Sequence, residues 1–96
     1  MVEATPNGSS RGRILVADDE PHIRRLLTTL LEDASFEVDC VVDGNRALER
    51  LEGDEGYDLI VLDIMMPGTT GLEVLNRLRG LKHRRGVPVV ILTAKG

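Results

Sequence analysis

The segment DLIVLDIMMPGTTGLEVL, residues 58–75, decides the fold of this chain. Its four consecutive apolar residues predict a strand that is buried on both faces of a parallel sheet, and Asp63 closes that strand. Pro67 and Gly68 then break the chain. The apolar residues that follow recur at roughly helical spacing and are expected to face inward: Leu72, Leu75, Leu78 and Leu81. A buried strand followed by an amphipathic helix is typical of a βα repeat, so the segment predicts an α/β protein.

The same pattern recurs on the N-terminal side of this segment. A run of four apolar residues predicts a first buried strand: Ile14, Leu15, Val16 and Ala17. Pro21 then suits the first turn of a helix, where its missing N–H group costs nothing. The apolar residues of that helix fall on a single stripe: Ile23, Leu26, Leu27, Leu30, Leu31 and Ala34. This pattern predicts the first helix.

Three further elements follow from similar patterns. Alternation along residues 36–42 predicts a half-exposed edge strand, in which Cys40 is a small core residue rather than a reactive thiol. Asp43 can cap a second helix, whose apolar face consists of Ala47, Leu48 and Leu51. Residues 87–92 predict a fourth strand, which ends at Thr93.

Length and composition limit the classes of protein that the chain can form. Its 96 residues suit one domain, with a net charge of −4 and only 2% aromatic residues. This composition offers neither a basic surface nor a base-stacking platform, so we expect no direct nucleic-acid partner. No apolar run approaches the ~18 residues of a membrane helix, so no membrane partner is expected. We expect residues 1–12 to form a mobile tail and residues 13–96 to form the domain.

Cysteine usage and the N-terminal sequence bear on the compartment. Cys40 is the single cysteine of the chain and cannot form an internal disulfide. The N-terminus lacks the basic start and apolar stretch of a signal peptide. Both features favour a reducing, cytoplasmic location.

Acidic residues follow two of the predicted buried strands. Asp18 and Asp19 close the first strand, and Asp63 closes the third. Ligands of open parallel α/β sheets bind beyond the carboxyl ends of the strands, so adjacent first and third strands would crowd three carboxylates together. Their repulsion would raise a pKa or require a cation, and Mg²⁺ prefers such oxygen ligands. A carboxylate beside that ion can attack phosphorus to give an aspartyl phosphate. The simpler alternative is that these aspartates only cap helices or lie solvated in loops.

With these residues identified, the chain resembles the receiver domain of bacterial response regulators. The resemblance extends over residues 13–96, and four motifs carry it: ILVADDEP at 14–21, DGNRAL at 43–48, the segment at 58–75, and VPVVILTAKG at 87–96. It implies an incomplete flavodoxin-like fold, a doubly wound parallel α/β sheet with four strands in the order 2-1-3-4 and three helices. It also implies a two-component signalling function, in which a histidine kinase transfers a phosphoryl group to Asp63.

The resemblance implies roles for individual residues beside this phosphoacceptor. Asp19 would be a direct Mg²⁺ ligand, and Asp18 would act mainly through water. The backbone carbonyl of Met65 would supply another ligand. Thr93 would be the switch hydroxyl, and the backbone N–H of Ala94 would help to hold the phosphoryl group. Any enzymatic activity would be limited to self-catalysed phosphotransfer and dephosphorylation.

The chain departs from the family after the fourth strand. A complete receiver resembles a five-stranded, five-helix domain, in which the fifth strand carries a lysine that pairs with the phosphoryl group and an aromatic switch residue. Lys95 is not that lysine, because it follows Thr93 by two residues at the end of a different strand. We therefore expect impaired phosphorylation. The apolar fourth strand would also be left open at its edge, which favours self-association into a homo-oligomer.

Two other functions are compatible with the same residues. One is a non-switching interaction fragment of a receiver domain. The other is a hydrolase that forms an aspartyl phosphate, although Met65 stands where such enzymes carry their second acid. Labelling of Asp63 by a small phosphodonor separates these alternatives.

Basic and histidine side chains elsewhere are expected at the surface. The basic residues between 77 and 85 favour the negative end of the third helix and are expected to be solvated. His22 and His83 have no recognisable metal-ligand set around them in the sequence.

Overall fold

A computed structural model of the chain describes residues 11–92. These residues form alternating strands and helices, with bounds β1 (Arg13–Ala17), α1 (Pro21–Asp33), β2 (Glu37–Val41), α2 (Gly44–Glu52), β3 (Leu59–Asp63), α3 (Gly71–Leu78) and β4 (Val89–Leu92). A single 3₁₀ turn, Lys82–Arg84, precedes β4. The predicted strands and helices are confirmed within this range. The first ten residues of the predicted tail and the site positions Thr93 and Ala94 lie outside the described residues.

The four strands form one parallel sheet in the order β2-β1-β3-β4. β1 therefore lies between β2 and β3, and Ala17 pairs with Leu62 in register. The residues that follow this pair, Asp18 and Asp63, consequently lie side by side at the carboxyl ends of the two strands. The fold class and strand order implied by the resemblance are both confirmed.

Helices cover both faces of the sheet, as a doubly wound fold requires. On one face, Leu15 and Ile60 lie in a buried cluster with residues of α2 and α3, among them Leu51 and Leu78. On the opposite face, a smaller buried cluster packs against α1: Ile14, Val16 and Val61. No helix among residues 11–92 is long and apolar enough to cross a membrane.

The predicted apolar stripe of α1 is only partly covered. Leu27 and Leu31 pack against the sheet, whereas Leu26 and Leu30 are 54% and 55% exposed. The helix contacts mainly β2 and β1, so the described residues leave one flank of the stripe largely uncovered.

Two burial predictions were wrong. Leu72 is 54% exposed, and α3 buries Val74 and Leu78 instead. Successive helical residues are about 100° apart, so Leu72 lies on the opposite side of the helix from Val74. Cys40 is also exposed, because it lies on the edge strand, where its Sγ is 3.2 Å from Oγ1 of Thr28.

Local capping explains where the helices begin. The side chain of Glu20 accepts the backbone N–H of His22 at the start of α1. Asp43 caps α2 as predicted, since its Oδ1 accepts the N–H of Arg46 at 2.8 Å. α3 begins with a capping box between Thr70 and Glu73. The cap at Glu20 places the first turn of α1 just after the carboxyl end of β1, whereas a loop of residues 64–70 separates β3 from the start of α3.

The chain before β1 is attached to the sheet. The N–H of Arg11 donates to the carbonyl of Ser35 at 2.8 Å, and the carbonyl of Gly12 accepts the N–H of Glu37 at 2.9 Å. The guanidinium of Arg11 also lies 5.4 Å from the ring centre of Phe36. Two residues assigned to the tail from sequence therefore pack against the start of β2.

Candidate functional site

Three aspartates meet at the carboxyl ends of β1 and β3. Each of Asp18, Asp19 and Asp63 offers a carboxylate oxygen, and these oxygens all lie within 4.8 Å of one another. Asp18 and Asp63 are buried, at 3% and 8% exposure, while Asp19 is exposed. The arrangement arises because Ala17 and Leu62 pair in the parallel register, which places the residues that follow them beside each other.

Backbone hydrogen bonds hold Asp18 in place. Its N–H donates to the carbonyl of Val41 at 3.2 Å, which extends the pairing of β1 with β2 by one residue. Its Oδ1 accepts the N–H of Glu20 at 2.8 Å, and its carbonyl accepts a guanidinium N–H of Arg24 at 2.8 Å. One carboxylate oxygen is therefore used within the turn, and the other is available to a ligand.

The negative charge of the site is not balanced by any ion pair among residues 11–92. Burial raises the pKa of Asp18 above its usual value, and the charges of Asp63 and Asp19 raise it further. The N–H of Glu20 and the charge of Arg24 act in the opposite direction. Within residues 11–92, no basic side chain forms an ion pair with any of the three aspartates. A bound cation would relieve this repulsion.

The donor set fits a hard divalent cation. Carboxylate oxygens are the ligands that Mg²⁺ prefers, and an octahedral ion bound by few protein oxygens keeps several waters. The partly exposed position of the cluster leaves room for these waters. Asp18, Asp19 and Asp63 are the residues that would hold such an ion.

The loop after β3 borders the aspartates. The N–H of Ile64 donates to the carbonyl of Leu92 at 3.0 Å, and the N–H of Met65 donates to Oδ1 of Asp63 at 3.2 Å. The side chain of Met66 is buried in the core, whereas that of Met65 is 63% exposed. The buried side chain of Met66 anchors the loop to the core, and the backbone N–H of Met65 contacts the carboxylate of Asp63.

A cleft of about 630 Å³ adjoins the aspartates. Besides the three carboxylates, the residues that line it are mainly apolar: Ile23, Leu26, Leu27, Met65 and Leu92, with Glu20 at the acidic end. The uncovered flank of α1 thus forms one wall. Thr93 and Ala94 follow Leu92 in the chain and lie outside the described residues, so their predicted roles remain predictions.

Sequence patterns did not reveal how Arg84 is used. It was expected to be solvated, but it is only 2% exposed. Its guanidinium donates to the carbonyls of Leu51 and Gly53, both at 2.9 Å, and lies 5.2 Å from the ring centre of Tyr57. Arg84 therefore closes the C-terminal end of α2, which no local pattern around residue 84 signals.

A contact between α2 and the loop after β3 was also missed. Oγ1 of Thr69 donates to Oδ1 of Asn45 at 2.7 Å. Both residues belong to motifs, DGNRAL and the PGTTG part of 58–75, that suggested only turns and caps. Their pairing depends on the packing of α2 against α3 and is invisible to periodicity.

The family model for the response regulator receiver domain matches residues 14–96. The chain belongs to this family, whose members accept a phosphoryl group on an aspartate from histidine kinases.

Particular relatives support the same assignment. The chain is 46% identical over 85 residues to the transcriptional regulatory protein ResD of Bacillus subtilis, which covers 88% of this chain and 33% of ResD. It thus spans about a third of the length of this curated relative. Among solved structures, it is similar to the response regulator TrrA of Thermotoga maritima in complex with Mg²⁺ and BeF, with 43% identity and a TM-score of 0.78. That match covers 88% of this chain and 71% of TrrA.

A second structure contains TrrA bound to a kinase. The complex of the histidine kinase ThkA with TrrA matches with 42% identity and a TM-score of 0.78, over 88% of this chain and 71% of the matched chain.

Proposed function

We propose that Asp63 accepts a phosphoryl group from a histidine kinase in a Mg²⁺-dependent reaction. The observation that carries the proposal is the cluster of three carboxylates within 4.8 Å, two of them buried and none paired with a described basic side chain. Two solved structures of TrrA support this proposal. One contains TrrA with Mg²⁺ and BeF, which supports Mg²⁺ as the ion, and the other contains TrrA with the histidine kinase ThkA, which supports a kinase as the partner.

The covalent step uses one oxygen of Asp63 as the nucleophile. Because Oδ1 accepts the N–H of Met65, the carboxylate is oriented with its other oxygen free to attack. That oxygen forms a bond to phosphorus as the bond from phosphorus to the kinase imidazole breaks. The imidazole leaves with the electron pair of the broken bond and takes a proton from solvent. When bound, Mg²⁺ supplies positive charge that offsets the charge on the transferring oxygens.

The other aspartates would hold the ion in different ways. We assign Asp19 as a direct ligand, because its side chain is exposed and free to turn toward the ion. Asp18 would act mainly through water, since one of its oxygens already accepts the N–H of Glu20. The carbonyl of Met65 would supply a further ligand from the loop. Thr93 and Ala94 keep the switch and phosphoryl-binding roles that the resemblance implies.

Treatment with acetyl phosphate and Mg²⁺, followed by mass spectrometry, tests the proposal. We expect an adduct of one phosphoryl group on Asp63, which disappears in Asp63→Asn. Asp54→Asn is a matched control, because Asp54 is exposed in the turn after α2. Absence of any adduct would favour a non-switching interaction fragment. Release of phosphate without a lasting adduct would favour a hydrolase.

A second proposal, self-association, rests on the exposed edge of the sheet. β4 is an edge strand of the sheet formed by residues 11–92, and Val90 within it is 44% exposed. The exposed Leu26 and Leu30 add apolar surface on the same molecule. We propose that the 96-residue polypeptide forms a homo-oligomer in which β4 pairs with another copy. Its cytoplasmic location and its lack of a direct nucleic-acid partner stay predictions from the sequence.

A further inference from the structure

The loop between β3 and α3, residues 64–70, carries the backbone of Met65 past the aspartates. Its first residue is fixed by the bond from the N–H of Ile64 to the carbonyl of Leu92. Its end is closed by the N–H of Gly71, which donates to the carbonyl of Ile64 at 3.1 Å. A Cβ at Gly71 would lie 2.2 Å from the carbonyl oxygen of Asp63, so the end of the loop lies directly against the nucleophile's backbone.

The far side of this loop rests on the first turn of α2. A Cβ at Gly44 would lie 1.9 Å from the carbonyl oxygen of Thr69 and 2.7 Å from its carbonyl carbon. Both atoms belong to the backbone, which cannot move aside as a flexible side chain can. The first residue of α2 is therefore in van der Waals contact with the loop, and a side chain there would displace it.

A hydrogen bond reinforces the same contact. Oγ1 of Thr69 donates to Oδ1 of Asn45 at 2.7 Å. Next to it, Gly68 adopts a positive φ of 74°, and a Cβ there would lie 3.4 Å from Nδ2 of Asn45. The turn at Gly68 thus brings the loop back onto α2, and Thr69 is the point of attachment.

We propose that Gly44 and Asn45 are positioning residues, which act through Thr69 to fix the loop and thereby the Met65 carbonyl at the Mg²⁺ site. This inference rests on the proposed function. Neither residue belongs to the set of aspartates that would bind the ion. Their effect arises because Mg²⁺ demands near-ideal octahedral geometry, so a displaced ligand or a mobile loop lowers affinity.

The first experiment compares two glycine substitutions in a Mg²⁺ titration followed by NMR. Gly44→Ala should raise the Kd for Mg²⁺ on the order of tenfold, as outer-shell substitutions at metal sites do. Gly56→Ala is the matched control, because a Cβ there meets no atom within 4 Å. It should leave the Kd unchanged. An unchanged Kd in a folded Gly44→Ala variant overturns the proposal.

Gly44→Ala carries a risk of misfolding, so a second set of variants keeps the test decisive. Asn45→Ala and Thr69→Val each remove the surface hydrogen bond with little disturbance of the core. Each should raise the Kd for Mg²⁺ about threefold or more, and the double variant should do no worse than either alone. Thr69→Ser retains the hydroxyl and should bind Mg²⁺ as the wild type does.

The outcomes distinguish positioning from ordinary stability. If Asn45→Ala and Thr69→Val lower the unfolding midpoint but keep the wild-type Kd, the contact is merely structural and the inference is overturned. If the wild type binds Mg²⁺ and these variants bind it with the same Kd, the positioning inference is overturned while the proposed function stands. If the wild type itself does not bind Mg²⁺, the metal-dependent function and this inference are both overturned.

Discussion

Replacing Asp18 by Asn should stabilise the protein in the absence of Mg²⁺. The carboxylate is buried beside two others, and burial together with the charges of Asp63 and Asp19 raises its pKa. The substitution removes the charge but keeps an oxygen that can accept the N–H of Glu20, as Oδ1 does in the wild type. The variant therefore loses the repulsion while retaining the turn.

The size of the effect follows from the distances. At 4.8 Å, the upper limit of the oxygen separations in the cluster, two unit charges repel each other by about 1 kcal/mol in bulk water and by about 3.5 kcal/mol at an effective dielectric constant of 20. Asp63 is buried and Asp19 is exposed, so the two repulsions fall toward opposite ends of this range. We expect Asp18→Asn to raise the free energy of unfolding by about 1 to 3 kcal/mol at neutral pH.

The pH dependence has a definite sign. An acid whose pKa is raised by folding binds its proton more tightly in the native state, so it destabilises the protein increasingly as pH rises. For Asp18 this loss begins near its unfolded value of 3.8 and is complete above its folded pKa. The stability difference between Asp18→Asn and wild type should therefore be small near pH 4 and grow toward neutrality.

Urea unfolding of both proteins, measured from about pH 4 to 7 with EDTA present, checks this prediction. Asp54→Asn serves as the control and should change stability by less than about 0.5 kcal/mol, because Asp54 is exposed. Saturating Mg²⁺ should stabilise the wild type more than Asp18→Asn. The reasoning is refuted if the variant is less stable than wild type at neutral pH without Mg²⁺, or if their difference does not change with pH.

Three further predictions concern phosphorylation, assembly and the end of α2. Labelling of Asp63 by acetyl phosphate should be about 10²- to 10³-fold slower than labelling of TrrA under the same conditions, because no described cation offsets charge on the transferring group. Equal labelling rates would contradict this expectation. Light scattering should detect an oligomer of the 96-residue polypeptide. Val90→Lys places a charge on the exposed edge strand and should shift the equilibrium toward the monomer. A wild-type monomer at high protein concentration would rule out the proposed strand pairing. Arg84→Met should lower the free energy of unfolding by about 2 to 4 kcal/mol, because the carbonyls at the end of α2 lose a charged donor. The exposed Arg85→Met is its control, and an equal effect of both substitutions would show that the burial of Arg84 contributes nothing.

Local patterns were sufficient to locate most elements. A run of apolar residues such as Leu59 to Leu62 buries both faces of a strand wherever it lies in a parallel sheet, and an alternating or helical period reports which face of an element is apolar. Asp43 capped α2 as expected, because a cap depends only on residues three apart in the chain. The order of the strands came from resemblance to a family, since no periodicity states which strands are neighbours.

The sequence by itself therefore determined the alternation of strands and helices and the position of Asp18, Asp19 and Asp63 at strand ends. Only the tertiary structure decided that these carboxylates lie within 4.8 Å of one another, because that distance depends on the pairing of β1 with β3 across more than forty residues of chain. The burial of Arg84 and the contact of Asn45 with Thr69 were decided in the same way. Such contacts join residues remote in sequence, and their geometry is set by packing rather than by the local preferences that a sequence pattern records.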